Sequence, residues 1–434
     1  MRTCLDRLQE WLAAQPLQAR ARQTGFLKRT PRKIPPLLFI QAAILLVGQS
    51  VVSLSRWSAL LGVLGNCSVS KQSLWERLTK RAVDFLQQIL GLVLAQSITQ
   101  QTGAVPQVLT SFGRVLLQDS TTISLNPALA KAFPGAHNQR GSKHGLLKIQ
   151  TIYDLLSQSF VSFGLSGFTR NDQAAAQDIL PLLRRADLVL RDLGYFVLES
   201  LRRIAATGAF FLGRLRLDTG LFDARTQRPL ALLKALRGRG HWDCRALLGQ
   251  QKLAVRLVAI KLPEPVAAER RRKAKQNRDR RCRPNATHLA LLGWAIFVTN
   301  VDPKVLSSRA VAQVYGLRWR IETIFKVWKS HFRITQVPKG SAEQLCVVIF
   351  ARLILLTVMI PCCTSTWRVD WRQPQPPARS LLKCAALLSD FFVLLCLEAW
   401  QIQVTEALRL QLDYHGRYER RTRQNFVQKL MNLS

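Results

Sequence analysis

A chain of 434 residues that is 48% hydrophobic carries enough apolar material for two to four domains at roughly 100–200 residues each, and this excludes a disordered chain. Its 63 Lys and Arg against 26 Asp and Glu leave a formal charge of +37, far beyond what solubility requires, so a polyanionic partner is implied, either nucleic acid or an anionic membrane surface. The nine cysteines (Cys4, Cys67, Cys244, Cys282, Cys346, Cys362, Cys363, Cys384 and Cys396) are odd in number, scattered and free of any C-x-x-C pair, and read as reduced thiols of a cytoplasmic protein rather than a zinc site or disulfide framework.

The first residues, Met1 to Asp6, carry charge where a signal peptide would place its apolar core, which argues against secretion. Residues 1 to about 100 read as helical. Ser53 to Leu64 has apolar residues at helical spacing, Gly65 to Ser68 is turn chemistry, and Val69 to Leu78 starts a second helix after a Ser cap. Two short helices around a tight turn suggest a helix-turn-helix with Ser70, Lys71, Gln72, Ser73 and Arg77 facing DNA, and an ordinary helical hairpin fits the same pattern.

From Gly113 the texture changes to short apolar runs between turn residues. Arg114 to Gln118, Leu147 to Tyr153 and Phe160 to Leu165 read as three strands. A helix from Asn171 to about Arg185, a strand at Leu188 to Leu190, a helix after Gly194 and a strand at Ala209 to Leu215 complete an α/β pattern with a mixed sheet. A second β-like stretch between about Asp218 and Asn300 has Leu253 to Ile260 and Trp294 to Thr299 as its clearest strands. These flank Arg270 to Arg283, where nine basic residues stand against one acid. That segment reads as a mobile loop or a charged helix face, and its single sign suits phosphate contact, with Arg271, Arg272 and Lys273 as candidates; a solvated charge run is the other reading.

Helices resume with one predicted from Ala310 to Ser330. Others cover Glu343 to Ile360 and Ser380 to Gln401, separated by a Pro-rich linker from Arg372 to Arg379, and a basic tail spans Arg417 to Arg423. Neither apolar run offers about 20 uncharged residues, because Pro35 to Gly48 is too short and Arg352 interrupts Cys346 to Cys363. Both are expected to be buried helices, with no membrane partner.

With about 100° per residue, Tyr315, Arg318, Glu322, Lys326 and Lys329 fall on one side of the predicted Ala310–Ser330 helix and Leu317, Ile321, Ile324 and Trp328 on the other. A carboxylate among cations suits metal binding beside DNA phosphates. The same spacing also describes an exposed helix with i,i+4 ion pairs such as Glu322 with Lys326. Two aspartates bear on the choice: Asp119 ends the apolar run Val115 to Gln118, and Asp192 ends Leu188 to Arg191. Acids at the ends of buried strands point into the crevice above a sheet. Three carboxylates there would hold two hard divalent cations about 4 Å apart, one activating a water or a DNA 3′-hydroxyl and the other stabilising the leaving oxygen. Each aspartate also fits a plain cap or turn, Asp119 before Ser120, Thr121 and Thr122, and Asp154 is a rival strand-end acid.

The ungapped spacing Tyr315-x2-Arg318-x3-Glu322-x6-Lys329 resembles the signature of bacterial transposases of the insertion-sequence family four, which carry a DDE catalytic triad on an RNase H-like fold. The resemblance extends through Asp119-Ser-Thr, Asp192-Leu-Gly-Tyr and the β-rich stretch, over about residues 40 to 360. It implies an α/β RNase H-like catalytic core interrupted by a β-rich insertion, preceded by a helical DNA-binding domain and followed by helices. The corresponding boundaries are 1–105, 106–217, 218–305, 306–345 and 346–434. It further implies Asp119, Asp192 and Glu322 as catalytic metal ligands. Tyr315, Arg318 and Lys329, with Lys326 beside them, become contacts to the transposon-end backbone, and Trp294 resembles a tryptophan that stacks on a flipped base. Leu193 departs from the family, many members of which carry arginine there. The implied cofactor is two Mg2+ ions, with Mn2+ as a substitute. The implied partners are double-stranded DNA, as terminal inverted repeats and as target, and a second copy of the chain. The implied reaction is cut-and-paste transposition through nicking, hairpin formation and strand transfer. A non-catalytic DNA-binding or regulatory derivative is the alternative, against which stand all three acids.

Overall fold

The computed structural model describes residues 12, 16–31, 33–49, 52–65, 69–98, 105–136, 144–276, 284–365, 380–398 and 426–432. The expected turn at 66–68, the second half of the basic segment at 277–283, the Pro-rich linker, residues 399–401 of the last predicted helix and the basic tail lie outside them.

Among the described residues of the first hundred are helices α1 (Leu17–Gln23), α2 (Pro36–Gly48), α3 (Leu54–Gly65), α4 (Lys71–Trp75) and α5 (Lys80–Ile98). Pro36 opens α2 at the position where a missing N–H costs nothing, and nearly every residue from Leu38 to Val47 is buried, as expected of an internal helix. The Ser70 side chain caps α4 by accepting from the Ser73 N–H at 3.1 Å. This helix stops at Trp75 rather than Leu78, because Arg77 and Leu78 bond back three residues instead of four.

Strands β1 (Val115–Leu125), β2 (Gly145–Asp154) and β3 (Ser159–Gly167) follow, then α6 (Asp172–Ala175), β4 (Leu188–Arg191), α7 (Leu198–Ala206), β5 (Phe210–Arg214), β6 (Leu221–Asp223), β7 (His241–Leu248), β8 (Leu253–Lys261), α8 (Glu264–Lys275) and β9 (Trp294–Thr299). The helix expected from Asn171 to Arg185 shrinks to α6 and a 3-10 turn at Leu180–Leu182. Pro181 in that turn has no N–H to give to an α-helical ladder. Downstream come α9 (Ser308–Gly316), α10 (Trp319–Ser330), α11 (Ala342–Ser365), α12 (Leu381–Asp390) and α13 (Phe392–Glu398). The single helix expected over Ala310–Ser330 is therefore two, and the one expected over Ser380–Gln401 is broken at Phe391.

The chain divides into two compact units, the division falling after Asp119 within β1 and after Trp319 at the start of α10. One unit comprises 105–119, 171–319 and 426–434. Its sheet has the order β1-β4-β5-β9-β8-β7-β6, parallel from β1 through β5 and antiparallel beyond. This is a mixed α/β arrangement, and β6 to β9 extend the same sheet. The basic segment is helical in α8 as far as Lys275.

The other unit comprises 1–104, 120–170 and 320–425. Here the order is β3-β2-β1, with β2 and β3 an antiparallel hairpin running from Leu147 opposite Gly167 to Asp154 opposite Ser159. Helix α11 packs against α2 and α5. By length and composition alone it would cross a membrane, but 89% of its apolar window is buried against the rest of the protein, and its Arg352 is 1% exposed. Trp328 of α10 is fully buried, 5.5 Å from Phe160 and 5.8 Å from Phe163 of β3 between ring centroids.

Candidate active site

The first unit's site begins with a buried ion pair. Arg114 donates to Asp187 through Nε at 3.0 Å and Nη2 at 2.6 Å and to the Leu182 carbonyl at 2.8 Å, while the Arg184 N–H donates to Asp187 at 2.7 Å. These bonds tie together the residues that enter β1 and β4, and the two strands then run in parallel register from Val115 opposite Leu188 to Gln118 opposite Arg191. Gln118 Nε2 donates to the Ala175 carbonyl at 2.9 Å, and Arg191 Nη2 to the Ala176 carbonyl at 2.7 Å, so both side chains reach the same layer on one face. Side chains alternate along a strand. The next residues, Asp119 and Asp192, therefore lie side by side on the other face. Adjacent strands are about 4.8 Å apart, so two carboxylates in one row repel unless cations attend them.

Cations and a donor are present. Arg318 Nη1 donates to Asp119 Oδ2 at 3.3 Å, and the Tyr315 hydroxyl donates to Asp192 Oδ1 at 3.5 Å, both at the long end of the hydrogen-bond range. Tyr315 and Arg318 are 7% and 5% exposed, although the unbroken helix had placed them on an open polar stripe. The break explains their position. Leu317 and Arg318 bond back three residues, to Val314 and Tyr315, so the chain turns between α9 and α10 while the Tyr315 ring packs 5.2 Å from Phe297. Burial pushes the Tyr315 hydroxyl up to about 12, with Arg318 acting the other way, so it stays a proton donor at neutral pH.

Asp119, expected at the end of a strand, lies inside one, and Asp192 makes no side-chain cap bond. β1 runs on past Asp119 to Leu125, so no turn follows it. Asp192 stands at the N-cap of a 3-10 turn without a side-chain cap bond. The rival Asp154 instead accepts from the Leu156 N–H, the Ser157 N–H and the Ser157 hydroxyl, at 3.1, 3.4 and 2.6 Å, and organises the β2–β3 turn.

Two further cations belong to the same unit, Arg214, which no sequence signal marked, and Arg270, the first residue of the basic segment. The β4–β5 register runs from Leu188 opposite Phe210 to Leu190 opposite Leu212, and Arg214, at the end of β5, bears on the same Tyr315 hydroxyl, acting to lower its pKa. Arg214 lies one residue inside the end of the strand expected over Ala209–Leu215, so strand-end position did not single it out; it closes the observed β5. Arg270 of α8 donates to the Trp294 carbonyl at 3.3 Å; burial, and then Arg214, lower its pKa. Trp294 opens β9 with 9% of its surface exposed. The more exposed ring is that of Trp319, 55% exposed, with the Arg318 guanidinium 5.3 Å from its centroid.

Other candidates are distributed as follows. Glu322 lies in the first turn of α10, half-buried, in the second unit and four residues beyond Arg318 along the chain. Lys326 and Lys329 are exposed on α10, while Ile321, Ile324 and Trp328 are buried, so the two faces expected of this segment are present from Trp319 onward. On α8, Arg271 pairs with Glu264 at 2.7 Å, Arg272 pairs with Glu269 at 2.7 Å, and Lys273 reaches Glu269 at 3.4 Å. Lys71 is exposed and Arg77 half-buried. Within either unit, among the described residues, no three His, Cys, Asp or Glu side chains are grouped closely enough to hold a metal ion.

Asp119 thus stands inside β1 rather than at its end, and Asp192 directly follows β4, with Arg318 and Tyr315 of the α9–α10 junction reaching the two carboxylates. The family model of the transposase DDE domain matches residues 110–357, more than half of the chain, and the chain belongs to that family. It is similar to the transposase for insertion sequence element IS231B of Bacillus thuringiensis subsp. berliner, 29% identical over 376 residues that cover 81% of this chain and 76% of the relative. The transposase for IS231F of Bacillus thuringiensis subsp. israelensis is 27% identical over 385 residues, 83% of this chain and 79% of the relative. The transposase for IS1151 of Clostridium perfringens is 26% identical over 407 residues, covering 88% and 85%.

Proposed function

We propose that this protein is the transposase of an insertion sequence, cutting and rejoining double-stranded DNA at terminal inverted repeats on an RNase H-like core, with Asp119, Asp192 and Glu322 as metal ligands. The observation that carries the reading is that buried Arg318 and Tyr315, three residues apart in the chain, reach Asp119 and Asp192, which follow directly on the parallel β1–β4 register. The donor set fits Mg2+, which takes hard oxygens and is commonly held by one or two carboxylates together with waters and substrate phosphates rather than by an all-protein cage. Mn2+ has the same oxygen preference. Bound there, the divalent ions supply Lewis acidity that makes water or a 3′-hydroxyl a nucleophile and neutralises the leaving oxygen.

The chain's own residues do the rest. Arg318 and the Tyr315 hydroxyl hold the carboxylates through long contacts that are readily exchanged, and Arg318 then serves the DNA backbone. Arg214 and Arg270 add positive charge for an adjacent phosphate. Lys326, Lys329, Lys71 and Arg77 contact the backbone elsewhere, as do Arg271, Arg272 and Lys273, whose exposed ion pairs are worth little and yield to phosphates. The base-stacking role implied for Trp294 we extend to Trp319, whose ring is open to a base. Joining two ends requires two copies of the chain.

The test uses the full chain with a DNA duplex bearing the inverted repeat of its own element and Mg2+. Glu322→Gln and Asp119→Asn are expected to keep end binding and lose cleavage by roughly three orders of magnitude, a loss of several kcal/mol of transition-state stabilisation. Undiminished cleavage by either variant overturns the site assignment. Tight binding without cleavage by the wild-type chain supports the regulatory derivative instead.

A further inference from the structure

A second charge network lies in the first unit, on the strands beyond β9, with its arginine buried and its aspartate half-buried. Arg256 of β8 grips Asp243 of β7 in a fork, Nε to Oδ1 at 3.0 Å and Nη2 to Oδ2 at 2.6 Å. Its remaining donors reach the Leu306 carbonyl at 2.5 Å, the Val301 carbonyl at 3.4 Å and Ser308 Oγ at 3.3 Å, and the Ser308 hydroxyl donates to Asp243 Oδ2. Arg256 is 5% exposed. Each of these acceptors belongs to the loop that leads into α9 or to its first residue. The same loop is anchored to β5 at its other end, where the Phe211 N–H donates to Asn300 Oδ1 at 2.8 Å and Asn300 Nδ2 to the Ala209 carbonyl at 3.0 Å.

Helix α9 runs from this clamp to the aspartate pair. Ser308 and Tyr315 are seven residues apart, about two turns and about 10 Å along a helix axis. The helix therefore transmits any shift at its start to the Tyr315 hydroxyl on Asp192, and through the following turn to Arg318 on Asp119. Taking the Arg256 charge out of water is costly, and an apolar replacement is often as stable as a buried ion pair; the best-attested use of such a pair is to set a register. Here the register set is that of α9.

We propose that Asp243, Arg256 and Ser308 are positioning residues for the phosphodiester chemistry, acting through Tyr315 and Arg318 by fixing where α9 begins. The proposal rests on the transposase reading above. A clamp of this kind controls the rate of the bound complex rather than affinity for DNA, since a displacement of about 1 Å at reacting groups costs roughly a hundredfold in rate.

The experiment measures end binding, single-turnover cleavage of preformed protein–DNA complexes in Mg2+, and thermal midpoint for the full chain carrying Asp243→Asn, Ser308→Ala or Ser308→Thr. Asp243→Asn and Ser308→Ala are expected to bind within about threefold of wild type and cleave 10- to 100-fold more slowly, and Ser308→Thr, which keeps the hydroxyl, to restore most of the rate. In a Tyr315→Phe, Arg318→Ala background, Asp243→Asn is expected to add less than about twofold, because the clamp then has nothing to position. Wild-type rates in Asp243→Asn and Ser308→Ala overturn the proposal, as does a rate loss that multiplies in full on that background, the result for a general loss of stability. A wild-type chain that binds ends without cutting overturns the transposase reading and this inference with it.

Discussion

Asp119, Asp154 and Asp192 all follow apolar strand residues, and their hydrogen bonds separate them. Asp154 is consumed by a turn, whereas Asp119 and Asp192 face a long arginine and a long tyrosine contact. No pattern of neighbours in the chain distinguishes the three, because each is preceded by a run of the same character; the deciding partners are up to 199 residues away. Arg114 and Asp187 are the structural counterpart, buried at 4% and 1% exposure. Arg114→Ala leaves the Asp187 carboxylate in the interior without its fork and is expected to destabilise the protein by about 3–5 kcal/mol, read as a lowered midpoint in urea. Replacing both by apolar residues of similar volume is expected to recover much of that loss.

At the scale of elements, the segment from Ala310 to Ser330 is the instructive case. Its apolar period is continuous and it contains no proline, so one helix is the local expectation. The chain instead turns at Leu317 and Arg318, where packing of Tyr315 on Phe297 and the reach of Arg318 to Asp119 outweigh two helical hydrogen bonds. Beyond the turn α10 keeps the expected faces. Trp328→Ala empties a site between Phe160, Phe163 and Phe325 and is expected to cost about 3–5 kcal/mol, measurable by thermal unfolding. Lys326→Ala, on the exposed face, is expected to change stability by less than about 0.5 kcal/mol while weakening DNA binding. β9 was legible to the residue and β8 to within one, because a largely buried run announces itself in composition alone, whereas β1 continues seven residues past Gln118 and β6 and β7 were not singled out. The short Asp172–Ala175 helix was not legible, since helical spacing there continues into a proline turn.

For the whole molecule the dominant quantity is the charge of +37. Binding to DNA is expected to weaken steeply with salt, log K falling by about 0.9 per neutralised phosphate, so that six to ten contacts cost roughly 10³- to 10⁵-fold between 50 and 200 mM. Arg272→Ala is expected to reduce that slope by about one, because breaking its exposed pair with Glu269 costs little and leaves the phosphate contact as its main contribution. A slope near zero in an electrophoretic or anisotropy titration would exclude the electrostatic footprint altogether.

Composition and local pattern determined the basic partner-seeking character of this protein, its α/β texture and the acids and cations that carry the transposase signature, since these depend on residue type and on spacing within one element. Only tertiary structure decided which acids stand together, that Tyr315 and Arg318 are buried against two of them, and that Arg214 acts on the same tyrosine. Those outcomes depend on the register of parallel strands brought together by about 70 residues of intervening chain, and on buried ion pairs whose partners meet only once the sheet has formed.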